Sequence, residues 1–318
     1  MSYRIVVVGY SEMMAAVIGG AEDAGCQVVG ALRSEAIQYN PFFLKCKDYL
    51  NPSKDCSYLR NKKIYEIKAQ SINSEDFKRE FLKLNADILL IASWGEKLKK
   101  EIIMLPKIAC INTHPSLLPK YRGPNPYMQV ILHNERETGV TFHLVDESYD
   151  SGEILAQAKV PILQTDTGKV LKARCCIAAR KLLSELLIEM QNQIISTTKQ
   201  NEEDATYFPQ ITAKDILINF SDTSQNIDAR IRAISDWQPC YFKHKNFFFK
   251  IKKHSLITGE VQGVLPGTIV EKRGSQITVV CGDSSLIKIE EYELYANFSK
   301  LKTPYYQMFL LNRGEILC

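Results

Sequence analysis

Asn112 and His114 stand two residues apart at the end of the apolar run Ile108-Ala109-Cys110-Ile111. Spaced i and i+2 in an extended segment, their side chains project to the same side. One carries an amide that never titrates, and the other gains or loses a proton near neutral pH. Together they could hold a carbonyl oxygen and manage a proton. The same pair taken alone also reads as a polar strand end with a surface histidine. Asp150 is the third candidate, in the acidic turn Asp146-Glu147-Ser148-Tyr149-Asp150-Ser151-Gly152, where Ser-Gly lets the backbone bend tightly. A carboxylate within reach of His114 would favour the imidazolium and orient the ring. An ordinary Asx turn would explain Asp150 without that partner.

These side chains need a frame to bring them together. Tyr3 to Gly9 reads as a short apolar strand, Met13 to Ala24 as a helix and Cys26 to Leu32 as a second strand, an opening that predicts a parallel, Rossmann-like sheet. Tyr10-Ser11-Glu12 follows Gly9 where a dinucleotide fold would have its further glycines, which excludes a nicotinamide cofactor. Ser34 to Lys62 predicts a long loop with one short helix, and Lys63 to Ile67 a strand. Ser74 to Leu84 predicts a capped amphipathic helix with Phe77, Phe81 and Leu84 on one face. Asp87 to Ala92 is a buried strand that runs into the loop Ser93-Trp94-Gly95-Glu96-Lys97-Leu98, the position where open α/β sheets place ligands.

After the Asn112 strand, a helix is expected over Pro126 to His133, strands over Thr138 to Val145 and Glu153 to Ala158, and a long helix from Asp166 to Gln193. Gln200 to Ala205 is polar and reads as a linker. Beyond it a capped helix, Ser224 to Ser235, precedes short β-rich runs at Asn246 to Ile251, Gly267 to Glu271, Gln276 to Val280 and Leu286 to Glu291. The expected organisation is an α/β, Rossmann-like, mostly parallel sheet domain over residues 1–200 and a smaller C-terminal β-rich, OB-like barrel domain over 206–318.

Composition narrows the function classes. The 318 residues are 45% hydrophobic and 24% charged, ordinary for a globular protein, and allow two domains. A formal net charge of +4 is too slight for a strongly electrostatic nucleic-acid footprint over the whole chain. No apolar run approaches the roughly 20 residues that span a bilayer. The nine cysteines show no CxxC spacing, and Cys26, Cys110 and Cys281 sit in apolar runs. A reduced, cytoplasmic protein with no structural metal and no membrane association is expected. His133 and His143 are expected to be structural. Lys243 to Lys253 interleaves basic and aromatic residues, either an RNA-contacting stretch or a hairpin with its aromatics inside and its lysines in water.

Asn112-x-His114-x-Ser-Leu-Leu-Pro, Tyr121-Arg122-Gly123, Glu137-Thr138-Gly139-Val140-Thr141 and Asp150-Ser151-Gly152-Glu153-Ile154-Leu155 together resemble the folate-dependent formyltransferase family. That family includes methionyl-tRNA formyltransferase, glycinamide ribonucleotide formyltransferase and the amino-sugar N-formyltransferases. The resemblance is strongest from Asp87 to Gln157. It implies 10-formyltetrahydrofolate as donor, a primary amine as acceptor, and Asn112, His114 and Asp150 as the catalytic trio. The Asn112 amide and a protonated His114 would donate to the formyl oxygen, with Asp150 raising the His114 pKa. It also implies folate contacts at Ser116, Leu117, Leu118 and Pro119, and pterin-pocket walls at Glu96, Lys97, Leu98 and the turn from Asp146. Ile231-Arg232-Ala233-Ile234 with Trp237-Gln238-Pro239, and Pro266-Gly267-Thr268-Ile269, resemble the appended domain of the methionyl-tRNA and amino-arabinose enzymes. Pro124-Asn125-Pro126 stands where the tRNA enzymes usually have Ala-Ala-Pro, and Ser34 to Lys62 has no glycine. The acceptor is therefore methionyl-tRNA, or a nucleotide-linked amino sugar or another small amine. A non-catalytic folate- or RNA-binding protein is the reading from another class, and a formyl-folate hydrolase a further one.

Overall fold

Ile5-Val6-Val7-Val8 can be accommodated only by burial on both faces, and a computed structural model of the chain places them so in β1 (Arg4–Gly9). The structure describes residues 2–34, 48–193, 196–296, 299–300 and 311–317. Residues 35–47, within the expected long loop, lie outside the described residues.

β1 leads through α1 (Ser11–Asp23) to β2 (Gln27–Arg33). After α2 (Lys54–Lys62), the short helix expected in that stretch, comes α3 (Glu75–Leu84). The Ser74 hydroxyl accepts from the Phe77 N–H at its start, and Phe77 and Phe81 are buried on one face as their spacing predicts. Then follow β3 (Ile88–Ala92), α4 (Lys100–Ile103), β4 (Ala109–His114), α5 (Pro126–Leu132), β5 (Glu137–Leu144), β6 (Ile154–Pro161) and α6 (Gly168–Gln191). The sheet order is β2-β1-β3-β4-β5-β6. The first four strands are mutually parallel, whereas β5 and β6 each run antiparallel to the strand before. Lys63 to Ile67, expected as a strand, makes one isolated parallel bridge, Ala31 to Glu66. Beneath the sheet Val6, Val8, Leu89 and Ile91 pack on Phe77, Phe81 and Ile102.

Backbone proximity divides the chain into two units. One comprises Met1–Pro126, Glu137–Pro161 and Leu171–Pro209, and the other Tyr127–Arg136, Ile162–Val170 and Gln210–Cys318. The second contains α7 (Ser224–Ile234) and the strands β7 (Tyr241–His244), β8 (Phe247–Glu260), β9 (Ile269–Arg273), β10 (Gln276–Val280), β11 (Ser285–Ala296) and β12 (Ser299–Lys300). They form an antiparallel sheet in the order β7-β8-β11-β10-β9, with β12 on β11. Phe242 and Phe249 are fully buried and stack at 4.9 Å, with Tyr292 edge-on to both, while Lys243, Lys245, Lys252 and Lys253 face outward. The basic, aromatic-rich stretch is thus a hairpin with Phe249 inside and Phe247 and Phe248 half-buried. No helix among the described residues is long and apolar enough to cross a membrane.

Candidate active site

β4 and β5 position the site. Asn112 and His114 project from one face of β4, and antiparallel pairing sets Asn112 opposite His143 and His114 opposite Thr141. Opposed residues of an antiparallel pair share a face, so His143 joins the pair. The 145–153 connection folds back over that face and delivers Asp150. Its backbone is left-handed (φ +55°), a conformation that costs a non-glycine residue about 1 kcal/mol and that Asp tolerates better than most. The next turn is possible only with glycine, because a Cβ on Gly152 would lie 1.8 Å from the Leu144 carbonyl oxygen.

Three side chains converge on one oxygen. Asp150 Oδ1 lies 3.3 Å from Asn112 Nδ2, 3.5 Å from His114 Nδ1 and 3.7 Å from His143 Nε2. Asp150 Oδ2 accepts from the Gly123 N–H at 2.9 Å. His143 Nδ1 lies 2.8 Å from the Leu144 carbonyl, which can only accept, so that nitrogen carries the proton. His143 Nε2 is then an acceptor, and Asn112 Nδ2 donates to it at 3.0 Å. By the same logic His114 Nε2, 2.8 Å from the Tyr121 carbonyl, is protonated and its Nδ1 faces the carboxylate.

Electrostatics separate the acid from the base. Burial alone would raise the Asp150 carboxyl, but the His114 charge, the neighbouring His143 and the Gly123 N–H hold it well below the usual carboxylate range. For His114, burial is the largest influence and pushes its pKa down, against the opposing pull of Asp150 and the Tyr121 carbonyl. Asp150 raises the His114 pKa as expected, and burial (5% exposed) works against it as the larger influence. In the structure Asn112 turns its amide nitrogen inward. Both amide hydrogens are engaged inward, on His143 and Asp150, so Oδ1 is the atom left to meet a substrate. The arrangement is a carboxylate beside a buried imidazole, with Asp150 Oδ1 and His114 Nδ1 3.5 Å apart.

The sequence-predicted trio therefore comes together, and His143, expected to be structural, joins it. His133 does not; its Nδ1 bonds the Gln129 carbonyl one turn back on α5. The Ser116–Pro119 turn is pinned to the sheet. The Thr141 hydroxyl donates to the Ser116 carbonyl, the Leu118 N–H donates to Thr141 Oγ1, and Gln157 Nε2 donates to the Leu118 carbonyl. Ser116 is fully buried with its hydroxyl on the Lys120 carbonyl, and Leu118 is buried too. Leu117 is half-buried and packs over Gly139, where a Cβ would come within 2.3 Å of it. Of this turn, Leu117 and Pro119 retain side-chain surface for a ligand.

The two expected pocket walls meet each other. The Lys97 ammonium lies 5.7 Å from the Tyr149 ring centre, and Lys100 pairs with Glu147 at 3.2 Å. Glu96 accepts from the Ser71 hydroxyl, Leu98 packs against the core, and the Asp146 carboxylate is taken up by Ser148 N–H and the Ser151 hydroxyl within its own turn. Sequence reasoning missed His143, the Tyr121 carbonyl and the Gly123 N–H. A strand register is the signal that would have found the histidine.

Comparison with known proteins gives this geometry a setting. A family profile described as formyl transferase matches residues 5–187, and one described as formyl transferase, C-terminal domain, matches residues 210–297. Methionyl-tRNA formyltransferase of Caldanaerobacter subterraneus subsp. tengcongensis is 31% identical over 240 residues, which cover 76% of this chain and 77% of that one. Its counterpart from Buchnera aphidicola subsp. Schizaphis graminum is 32% identical over 247 residues, covering 77% and 78%. Among solved structures, an N-formyltransferase from Helicobacter canadensis in complex with folinic acid and dTDP-3-aminofucose superposes with a TM-score of 0.66 at 22% identity, over 91% of this chain and 99% of that one. A sugar 3N-formyltransferase solved with dTDP and 5-N-formyl-THF superposes at 0.65 and 21% identity, over 92% and 99%. These structural likenesses carry the fold.

Proposed function

The chain belongs to the formyl transferase family, and from that membership we propose that its Asn112, His114, His143 and Asp150 move the formyl group of 10-formyltetrahydrofolate onto the primary amine of methionyl-tRNA. The convergence of three side chains on Asp150 Oδ1 is the observation that supports this most. The transfer forms one bond from the amine nitrogen to the formyl carbon and breaks one to the folate nitrogen. In between, negative charge collects on the formyl oxygen, and one proton passes from amine to folate.

Each side chain has a part in that sequence. Asn112 Oδ1 accepts an N–H of the incoming amine and aims its lone pair at the formyl carbon. As the new bond forms, the Asp150–His114 pair takes the amine's proton. The imidazole beside the carboxylate takes it up, and the imidazolium has acceptors on both nitrogens, Asp150 Oδ1 and the Tyr121 carbonyl. The positive charge so created faces the oxyanion while that charge exists, an electrostatic contribution of several kcal/mol in a water-poor site (~3 kcal/mol). The same proton then passes to the leaving folate nitrogen. Leu117, Pro119 and the Glu96–Leu98 loop with the turn from Asp146 form the folate side of the site.

A nucleotide-linked amino sugar is the second acceptor, favoured by Pro124-Asn125-Pro126, in which Asn125 takes a left-handed backbone (φ +57°) two residues after the Gly123 that holds Asp150. Division into a catalytic part over 1–200 and a C-terminal part over 206–318 belongs to the same proposal, as does a cytoplasmic location. The test is incubation with donor labelled in its formyl carbon and a panel of methionyl-tRNA and amino-sugar nucleotides, read by mass spectrometry. Label on the methionine amine is the expected result. Label on a sugar amine selects the second acceptor; folate release without any acceptor, or binding without release, overturns the transferase proposal.

A further inference from the structure

Gln200 lies in the stretch that reads in sequence as a linker, yet it is only 5% exposed and its whole amide is engaged. Nε2 donates to the Asp150 carbonyl at 2.9 Å and to the Gly152 carbonyl at 2.7 Å, bracketing the turn that presents the catalytic acid. Oε1 accepts from Arg122 Nη2 at 2.8 Å and Nε at 3.2 Å. Arg122 in turn grips Glu202 through a fork, Nη1 to Oε2 at 2.9 Å and Nη2 to Oε1 at 2.8 Å.

The backbone around Arg122 is what reaches the site. On one side the Tyr121 carbonyl holds His114 Nε2, and on the other the Gly123 N–H holds Asp150 Oδ2. This stretch is bridged in parallel to Tyr207. Arg122 N–H donates to the Thr206 carbonyl at 2.8 Å, and Phe208 N–H donates to the Arg122 carbonyl at 3.0 Å. Tyr121 N–H donates to the Thr206 hydroxyl at 2.8 Å, and its ring stacks on Phe208 at 5.0 Å. Tyr121, Gly123 and Asp150 all have positive φ, at 61°, 100° and 55°, so these two backbone segments depend on surrounding structure to stay in place.

We infer that Gln200 is a positioning residue for formyl transfer: one buried amide sets the Asp150 turn from its Nε2 and the Tyr121–Gly123 backbone, through Arg122, from its Oε1. The inference rests on Asn112, His114 and Asp150 being the catalytic trio. The informative variant is Gln200→Glu. Its carboxylate keeps and strengthens the Arg122 contact but offers no N–H to the two carbonyls and repels them, so its kcat is read per folded molecule. Misplacing a catalytic group by about 1 Å costs on the order of a hundredfold in rate.

The experiment measures kcat, KM for 10-formyltetrahydrofolate and the thermal midpoint of wild type, Gln200→Glu, Gln200→Met and His114→Ala with the acceptor that the panel selects. Expected for Gln200→Glu is a fall in kcat per folded molecule of about a hundredfold, with KM for the folate close to wild type. Gln200→Met, which loses both halves of the amide, should fall at least as far in kcat per folded molecule. Wild-type kcat in Gln200→Glu, or losses in both variants that only track the folded fraction, overturn the inference while an inactive His114→Ala leaves the trio standing. An active His114→Ala overturns the trio and the inference with it.

Discussion

At the scale of the residue, the site is a carboxylate held low in pKa beside an imidazole whose pKa burial pulls down. His114→Ala removes the proton carrier and Asn112→Ala the group that aims the amine. Each should lower kcat by about a hundredfold or more, roughly 3 kcal/mol of transition-state stabilisation. Circular dichroism should stay unchanged, and near-normal kinetics in either variant would refute the assignment. The pH dependence follows from the same two groups. With the His114 pKa held below its ordinary 6.5, kcat/KM should be flat above neutrality and acquire an acid limb below that value. Stability has the same sign. Both groups bind protons less readily folded than unfolded, so the unfolded state gains protons as pH falls. The His114 contribution is complete above 6.5 and erodes beneath it; the Asp150 contribution is complete above 3.8 and is lost as pH falls through the depressed folded value. Denaturant midpoints measured from neutrality downward check this, and a midpoint that rises on acidification would contradict it.

At the scale of the element, β4 and β5 work as a pair and the 145–153 connection as their third member. The closest approach within it is that of Gly152 to the Leu144 carbonyl. Gly152→Ala puts a methyl group where an oxygen already stands, and the turn must move. A loss of about 3 kcal/mol in stability is expected, at the upper end for overpacking, together with displacement of Asp150 and a drop in kcat. Urea titration alongside kinetics measures both, and a variant that keeps stability and rate would show that the turn yields at no cost. The elements of the sheet itself were legible in sequence. Asp87 to Ala92 forms β3 almost to the residue, and the Ser74-capped helix is α3, because local period and capping chemistry decide such segments. Lys63 to Ile67 was not, since a strand needs a neighbour with free ladder positions along its length and here only Ala31 pairs with Glu66.

At the scale of the molecule, net charge is slight, but Lys243, Lys245, Lys252 and Lys253 stand outward on β7, β8 and their turn. If methionyl-tRNA is the acceptor, phosphate contacts by such residues release counterions. Its KM should then rise by about tenfold or more between roughly 50 and 200 mM salt, while KM for the folate changes little. A salt-independent acceptor KM would favour the amino-sugar nucleotide instead. Steady-state kinetics at a series of salt concentrations decides between them.

The sequence by itself determined the α/β class and the two kinds of sheet, through period and turn chemistry, and its resemblance to the formyltransferase family supplied the proposed trio. Tertiary structure alone decided that His143 belongs with them, through the Asn112–His143 register, and that Gln200 reaches back 50 residues to the Asp150 carbonyl. It also decided the direction in which the His114 pKa moves, since desolvation depends on everything packed around it. Periodicity and turn chemistry are written in adjacent residues, whereas register, long-range hydrogen bonds and burial exist only once distant segments have met.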